Sequence, residues 1–156
     1  MKRVEIPVAR EIMQKRLVTV RPDDEIEQAV RLLIKKGFSG APVVSDAGRL
    51  EGVLSEHDCI KVLSQAVAEG WPGGHVDQHM TRKVETVGPN EDALALSSRF
   101  SQGAHRRLLV VDEGRLVGLI SRRDLLKALE KMEKAIDRAG GKTTYDLIGE
   151  RHRKLD

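Results

Sequence analysis

This chain is written twice, and that constrains its fold more than anything else in it. Laid over themselves at a shift of 66, residues 44–63 match residues 110–129 at ten positions of twenty. Val44, Asp46, Gly48, Arg49, Leu50, Gly52, Ser55, Asp58, Lys61 and Leu63 return as Val110, Asp112, Gly114, Arg115, Leu116, Gly118, Ser121, Asp124, Lys127 and Leu129. Ordinary residue frequencies would supply about one such identity. Upstream the match continues at a shift of 67, where Met13, Thr19, Val20 and Pro22 return as Met80, Thr86, Val87 and Pro89. The one-residue slip falls between Leu33 and Gly37, at a helix end that absorbs a deletion easily. The chain is a tandem duplication.

Each copy reads as β-α-β-β-α. Leu17–Val20 and Val84–Val87 are short β-branched strands closed by a proline. Asp23 or Asp24 then caps a helix with Ile26, Ala29, Val30 and Leu33 at spacings of three and four, ending at Gly37. Its counterpart runs from Asn90 through Ala93, Leu94, Leu96 and Phe100 to Gly103. Two hairpins follow the same plan, Pro42–Val44 to Leu50–Leu54 and Leu108–Val111 to Leu116–Ile120, each turning at Asp-x-Gly. A second helix starts at Ser55 and at Ser121. The last one carries Leu125, Leu129, Met132 and Ile136 on one side and stops near Gly140–Gly141. A three-stranded sheet with helices on one face leaves the other bare, so the expected fold class is α+β, two repeats packed sheet to sheet about an approximate two-fold axis. The expected boundaries are 8–66 and 76–131 for the copies, 67–75 for the linker, and 132–156 for a helix extension and tail.

Composition narrows the class. Charged residues make up 33 %, but 27 basic against 24 acidic residues leave only +3, too little to argue for nucleic acid. Aromatics are 3 %, so there is no row of rings for stacking bases. The single cysteine, Cys59, excludes an internal disulfide and a cysteine-cluster metal site. No apolar run reaches membrane-spanning length and the start MKRVEIPVAR is not a signal peptide, so a cytoplasmic, non-membrane protein is expected.

The repeated Ser-x-x-Asp has a plain structural reading. At a helix start it forms a capping box, the serine oxygen accepting a backbone N–H and the acid reaching back to the serine N–H. Glutamate would serve such a box equally well, yet both copies use aspartate. A carboxylate can also accept both hydroxyls of a ribose, and a helix N-terminus after a strand welcomes polar ligands. Ser55, Asp58, Ser121 and Asp124 are therefore read as cap and ribose site at once.

The stretches LVTVRP, GFSGAPVVSDAGRLEGVLSEHD and HRRLLVVDEGRLVGLISRRD resemble a stand-alone pair of CBS domains, a Bateman module, over roughly residues 8–131. RRLLVVDEGRLVGLISRRDLL is similar to the adenine-nucleotide-binding repeats in the regulatory subunit of AMP-activated protein kinase. The resemblance implies ligands held between copies. One site would take the base at Phe38, Ser39 and Gly40 with Leu119, and the ribose at Ser121 and Asp124. The other would use Ala104 and His105 with Val53, Ser55 and Asp58. Arg106 and Arg107 match family positions that touch phosphate, and the first copy has Gly40 and Ala41 there. Thr19 and Thr86, ordinary strand residues by type, recur beside the implied cleft as phosphate or ribose contacts.

Other features carry less. GGKTT, residues 140–144, follows a helix and lacks the glycine that a nucleoside-triphosphate loop requires at position 136, which is Ile136. His75 and His79 lack a third ligand. Cys59 reads as a small core residue. No nucleophile, base and orienting acid converge, so no enzyme activity is expected.

The functional expectation is a regulatory module that binds AMP, ADP or ATP, forms a homodimer and acts on an unknown protein in trans. The alternatives are another ligand, S-adenosylmethionine or a divalent cation, and an interaction scaffold or weak nucleic-acid binder.

Overall fold

A computed structural model describes residues 4–103 and 105–141. In chain order the elements are α1 (Ala9–Ile12), α2 (Ile26–Lys36), β1 (Gly40–Val44), β2 (Leu50–Ser55), α3 (Glu56–Glu69), a 3-10 turn (Val76–Gln78), β3 (Thr86–Val87), α4 (Ala93–Gln102), β4 (Arg107–Asp112), β5 (Arg115–Ser121) and α5 (Arg122–Arg138). β1 pairs antiparallel with β2, and β3, β4 and β5 form a second sheet in that order. The α+β class and the duplicated element order are those read from the repeat.

The described residues divide into two compact units, one of 4–15, 87–103, 105–110 and 118–141, the other of 16–86 and 111–117. The lead segment of the first copy thus belongs with the second copy's helices, and the second copy's lead with the first's. Hydrogen bonds repeat this exchange pair for pair. In the first unit Ala9 N–H donates to Glu91 O, Arg10 N–H to Pro89 O and Ala93 N–H to Pro7 O. In the second, Val76 N–H donates to Asp24 O, Asp77 N–H to Pro22 O and Ile26 N–H to Gly74 O.

The second unit has its core under α2. Ile26, Ala29, Val30 and Leu33, the expected stripe, are buried with Val43, Leu54, Val62 and Val76. Gly37 ends the helix in the left-handed conformation at φ +68, which glycine adopts without a Cβ penalty. In the first unit Ala93, Leu96, Leu108, Val110, Ile120, Leu125 and Met132 are buried. Leu94 turns outward and Leu129 and Ile136 are half-buried, so the apolar stripes of α4 and α5 are narrower than the spacing suggested.

Three local expectations need correction. Asp23 and Asp24 do not cap α2. Its N-cap is Glu25 without a side-chain bond, and the Asp24 carboxylate accepts from Arg21 N–H, closing the turn before the helix. Asp92, rather than Asn90, caps α4, its Oδ1 accepting from Leu94 and Ala95 N–H at 3.0 and 2.9 Å. The strand expected at Leu17–Val20 contracts to one bridge, Val20 to Val43. Val20 N–H donates to Pro42 O and Val44 N–H to Val20 O, but the next donor down the ladder would be Pro42, which has no N–H.

Candidate functional site

Both Ser-x-x-Asp corners form capping boxes. Ser55 Oγ accepts from Asp58 N–H and Ser121 Oγ from Asp124 N–H, each at 3.1 Å, while each aspartate accepts its serine's N–H at 2.9 Å. A strand ending in Ser therefore hands its helix a carboxylate fixed at the N3 position in both copies.

Each carboxylate also meets the residue that follows the repeated methionine of its unit's lead segment. In the first unit Gln14 exchanges backbone bonds with Leu119, and its Nε2 donates to Asp124 Oδ1 and Oδ2 at 3.1 and 2.9 Å. In the second, Thr81 exchanges backbone bonds with Val53, and its Oγ1 donates toward Asp58 at 3.2 and 3.1 Å. Gly118 and Gly52 allow this approach, because a Cβ at either would strike Met13 or Met80. Gln14 and Thr81 stand 67 positions apart, in the register of the repeat. That register was the signal available to find them.

The two acids differ in what remains open. Asp58 is 8 % exposed, and Ser55 Oγ donates to its Oδ2 at 2.8 Å in addition to the bonds above. Three donors of its own unit reach it, and its burial leaves little surface for another. Asp124 is half-buried and borders a groove of about 960 Å³ between the lead segment and α5, lined by Ile6, Pro7, Ile12, Lys127, Lys131 and Met132 among others. That volume lies at the upper end of the range for small-molecule sites. Among the site residues expected from sequence, Asp124 alone lines it. Lys127 and Lys131 are additions, exposed charges one turn and two turns along α5.

Partial burial opposes ionisation of Asp124. The bonds from Ser121 N–H, the Gln14 amide and the Ser121 hydroxyl, with the nearby Lys127 charge, outweigh it and hold the carboxyl below the ordinary aspartate value. A carboxyl lowered on folding adds stability above its unfolded pKa, about 3.9, and loses it as pH falls through the folded value. In a carbon-detected NMR titration, the Asp124 carboxyl is expected to move at lower pH than a model aspartate. Movement at or above the model value would contradict these contacts.

The remaining expected residues lie as follows. In the second unit Ser39 O accepts from Glu56 N–H and Gly40 pairs with Ser55, which sets this segment against the start of α3. Phe38 packs on the core beneath it. In the first unit the same relation recurs, Arg106 O accepting from Arg122 N–H and His105 O from Arg122 Nε. Arg106 and Arg107 are exposed there. Thr19 is exposed, and Thr86 is half-buried in β3. Ala104 lies outside the described residues, as do residues 142–144 of GGKTT. His79 Nε2 lies 3.2 Å from Gly73 O, and among the described residues no three His, Cys, Asp or Glu side chains are grouped to hold a metal. Cys59 is buried, and desolvation, with Asp58 and Glu56 nearby, pushes its thiol up to about 11, the reverse of a nucleophile's environment. Among the described residues no helix is long and apolar enough to cross a membrane.

Repeated strand-to-helix corners that present a serine and an acid define a tandem-repeat module. The CBS domain model matches twice, at residues 9–65 and 75–131, and the chain belongs to this family. Among curated proteins it is 33 % identical over 120 residues to an uncharacterized protein, MJ1225, of Methanocaldococcus jannaschii, covering 77 % of this chain and 42 % of that one. It is 30 % identical to the inosine-5′-monophosphate dehydrogenase of the same organism, covering 85 % and 25 %. The chain thus spans well under two thirds of either relative. Among solved structures, CBSX2 of Arabidopsis thaliana, determined in complex with AMP, matches at a TM-score of 0.69 and 26 % identity, covering 81 % of this chain and 98 % of that one. The CBS pair of MJ0100, in complex with 5′-methylthioadenosine and S-adenosyl-L-methionine, matches at 0.65 and 25 %, with the same coverage.

Proposed function

We propose that this chain is a regulatory sensor of adenine nucleotides, AMP, ADP or ATP, whose ribose hydroxyls donate to Asp124. One observation carries the reading. Of two equivalent aspartates, Asp124 is held ionised, half-open and beside a groove, whereas Asp58 is closed in by its own unit. A diol needs an anionic acceptor with free lone pairs, and charged acceptors make the stronger hydrogen bonds. Arg106 and Arg107 are assigned to phosphate, since arginine binds it bidentately and keeps its charge. The AMP complex of CBSX2 supports the ligand class.

The functional repeats are taken as residues 8–66 and 76–131, joined by 67–75. Binding shifts the protein only by the ligand's difference in affinity between its states, and a partner in trans would read that shift. A homodimer is part of this reading: Ile60 and Val67 on α3 are 63 % and 88 % exposed, and Leu126 on α5 is 67 % exposed. Catalysis is not part of it.

Calorimetric titration with AMP, ADP, ATP and adenosine tests the proposal. AMP is expected to bind more tightly than adenosine; equal affinities would remove the arginines from the site. S-adenosylmethionine belongs in the same series, because MJ0100 was solved with it and it carries the same diol. Preference for it over every nucleotide would move the assignment to that ligand.

A further inference from the structure

Gln14 already does to Asp124 what a ribose would do. One amide nitrogen lies within hydrogen-bond reach of both carboxylate oxygens, at 3.1 and 2.9 Å, and so covers the edge to which a vicinal diol would donate. Its backbone is tied on both sides, N–H to Leu119 O at 2.9 Å and O from Leu119 N–H at 3.0 Å. Only side-chain rotation is needed for the amide to leave, and Gln14 is exposed, so water can satisfy it once it has left. Thr81 at the equivalent position is exposed too, but it is short and β-branched, with one side-chain rotor to carbon where glutamine has three, and its hydroxyl reaches both oxygens of a buried aspartate.

We infer that Gln14 is a self-ligand that gates the Asp124 site, so that a ligand's ribose binds only by displacing the Gln14 amide. The residue after the repeated methionine then decides what each aspartate can do. Glutamine guards Asp124 on a long, releasable arm, and threonine holds the buried Asp58 on a short, stiff one. The inference rests on the reading that Asp124 takes ribose, and adds that the resting protein pays part of the ligand's binding energy to open this contact.

The test is calorimetric titration of AMP into the wild type, Gln14→Ala and Gln14→Thr, with thermal melts to show that the variants fold. Removing the competing amide is expected to tighten AMP binding about tenfold, the equivalent of one charged hydrogen bond at the weak end of its range. Gln14→Thr copies the closed arrangement into the open site and is expected to weaken binding. Unchanged or weaker binding by Gln14→Ala overturns the gate, the weaker case making Gln14 a ligand contact. Tightening by Gln14→Thr equal to that by Gln14→Ala overturns it too. If neither the wild type nor Gln14→Ala binds AMP, adenosine or S-adenosylmethionine, the reading of Asp124 fails and the gate falls with it, a result distinct from binding that ignores Gln14.

Discussion

Replacing Asp124 by asparagine is expected to weaken AMP binding about 100-fold, while Asp58→Asn leaves it within about twofold. The asymmetry follows from what each carboxylate does in the folded chain. Asparagine keeps the size of Asp124, and its oxygen can still accept Ser121 N–H, so the cap on α5 survives. It lacks the charge and the second acceptor that a diol needs, and two charge-assisted bonds become at best one neutral bond, a loss of about 3 kcal/mol. Asp58 takes the opposite role. Its oxygens already accept from Ser55 N–H, Ser55 Oγ and Thr81 Oγ1, and it is 8 % exposed. Asp58→Asn is therefore expected to appear as lost stability, about 1–3 kcal/mol for buried donors left without an acceptor. Calorimetry and chemical unfolding of the two variants check both halves. Equal loss of AMP affinity in both would mean that the two corners share the ligand evenly.

The second large effect concerns the glycines of the repeat. Gly52→Ala is expected to cost about 3 kcal/mol, at the upper end for overpacking, and to lower the thermal midpoint by roughly 6–12 °C. The new Cβ would lie 2.5 Å from Thr81 O and 3.0 Å from Met80 Sδ. The carbonyl is backbone, fixed by its bond from Val53 N–H at 2.9 Å, so the lead segment must move and take Thr81 from Asp58. At Gly118 the nearest obstacles to a new Cβ are Met13 Sδ, Cγ and Cβ; the Sδ can swing away, but the Cβ, 2.8 Å off, moves only with the lead segment's backbone. Gly118→Ala is therefore expected to destabilise as well, by about 1–3 kcal/mol. Differential scanning calorimetry of the pair decides, and either variant melting with the wild type would contradict the close approach of the lead segments to these glycines.

The local grammar of this fold was legible because it is short-range. Hairpins turning at Asp46–Gly48 and Asp112–Gly114, the stripe Ile26, Ala29, Val30 and Leu33, and the Ser-x-x-Asp caps each depend on residues within a few positions of one another. The helix caps fall one residue past Asp24 and two past Asn90, since several capping residues crowd both sites and propensity does not choose among them. The exchanged lead segments were not legible at all. A repeat shows that two segments are equivalent, but not which copy each one joins. Gln14 escaped notice for the same reason, its partner standing 110 residues away. Asp124 was found from sequence as a type of residue at a type of corner. That it is open where Asp58 is closed depends on Gln14 and Thr81, two positions where the duplicated halves diverged.

The central claim is that an aspartate reads a sugar's paired hydroxyls, and it is tested most directly by altering the sugar and leaving the protein untouched. AMP and 2′,3′-dideoxyadenosine 5′-monophosphate share base and phosphate and differ only in the diol. Titrated side by side into the wild-type chain, AMP is expected to bind about 100-fold more tightly than the dideoxy compound. Equal affinities would show that whatever holds the nucleotide, it is not the carboxylate of Asp124.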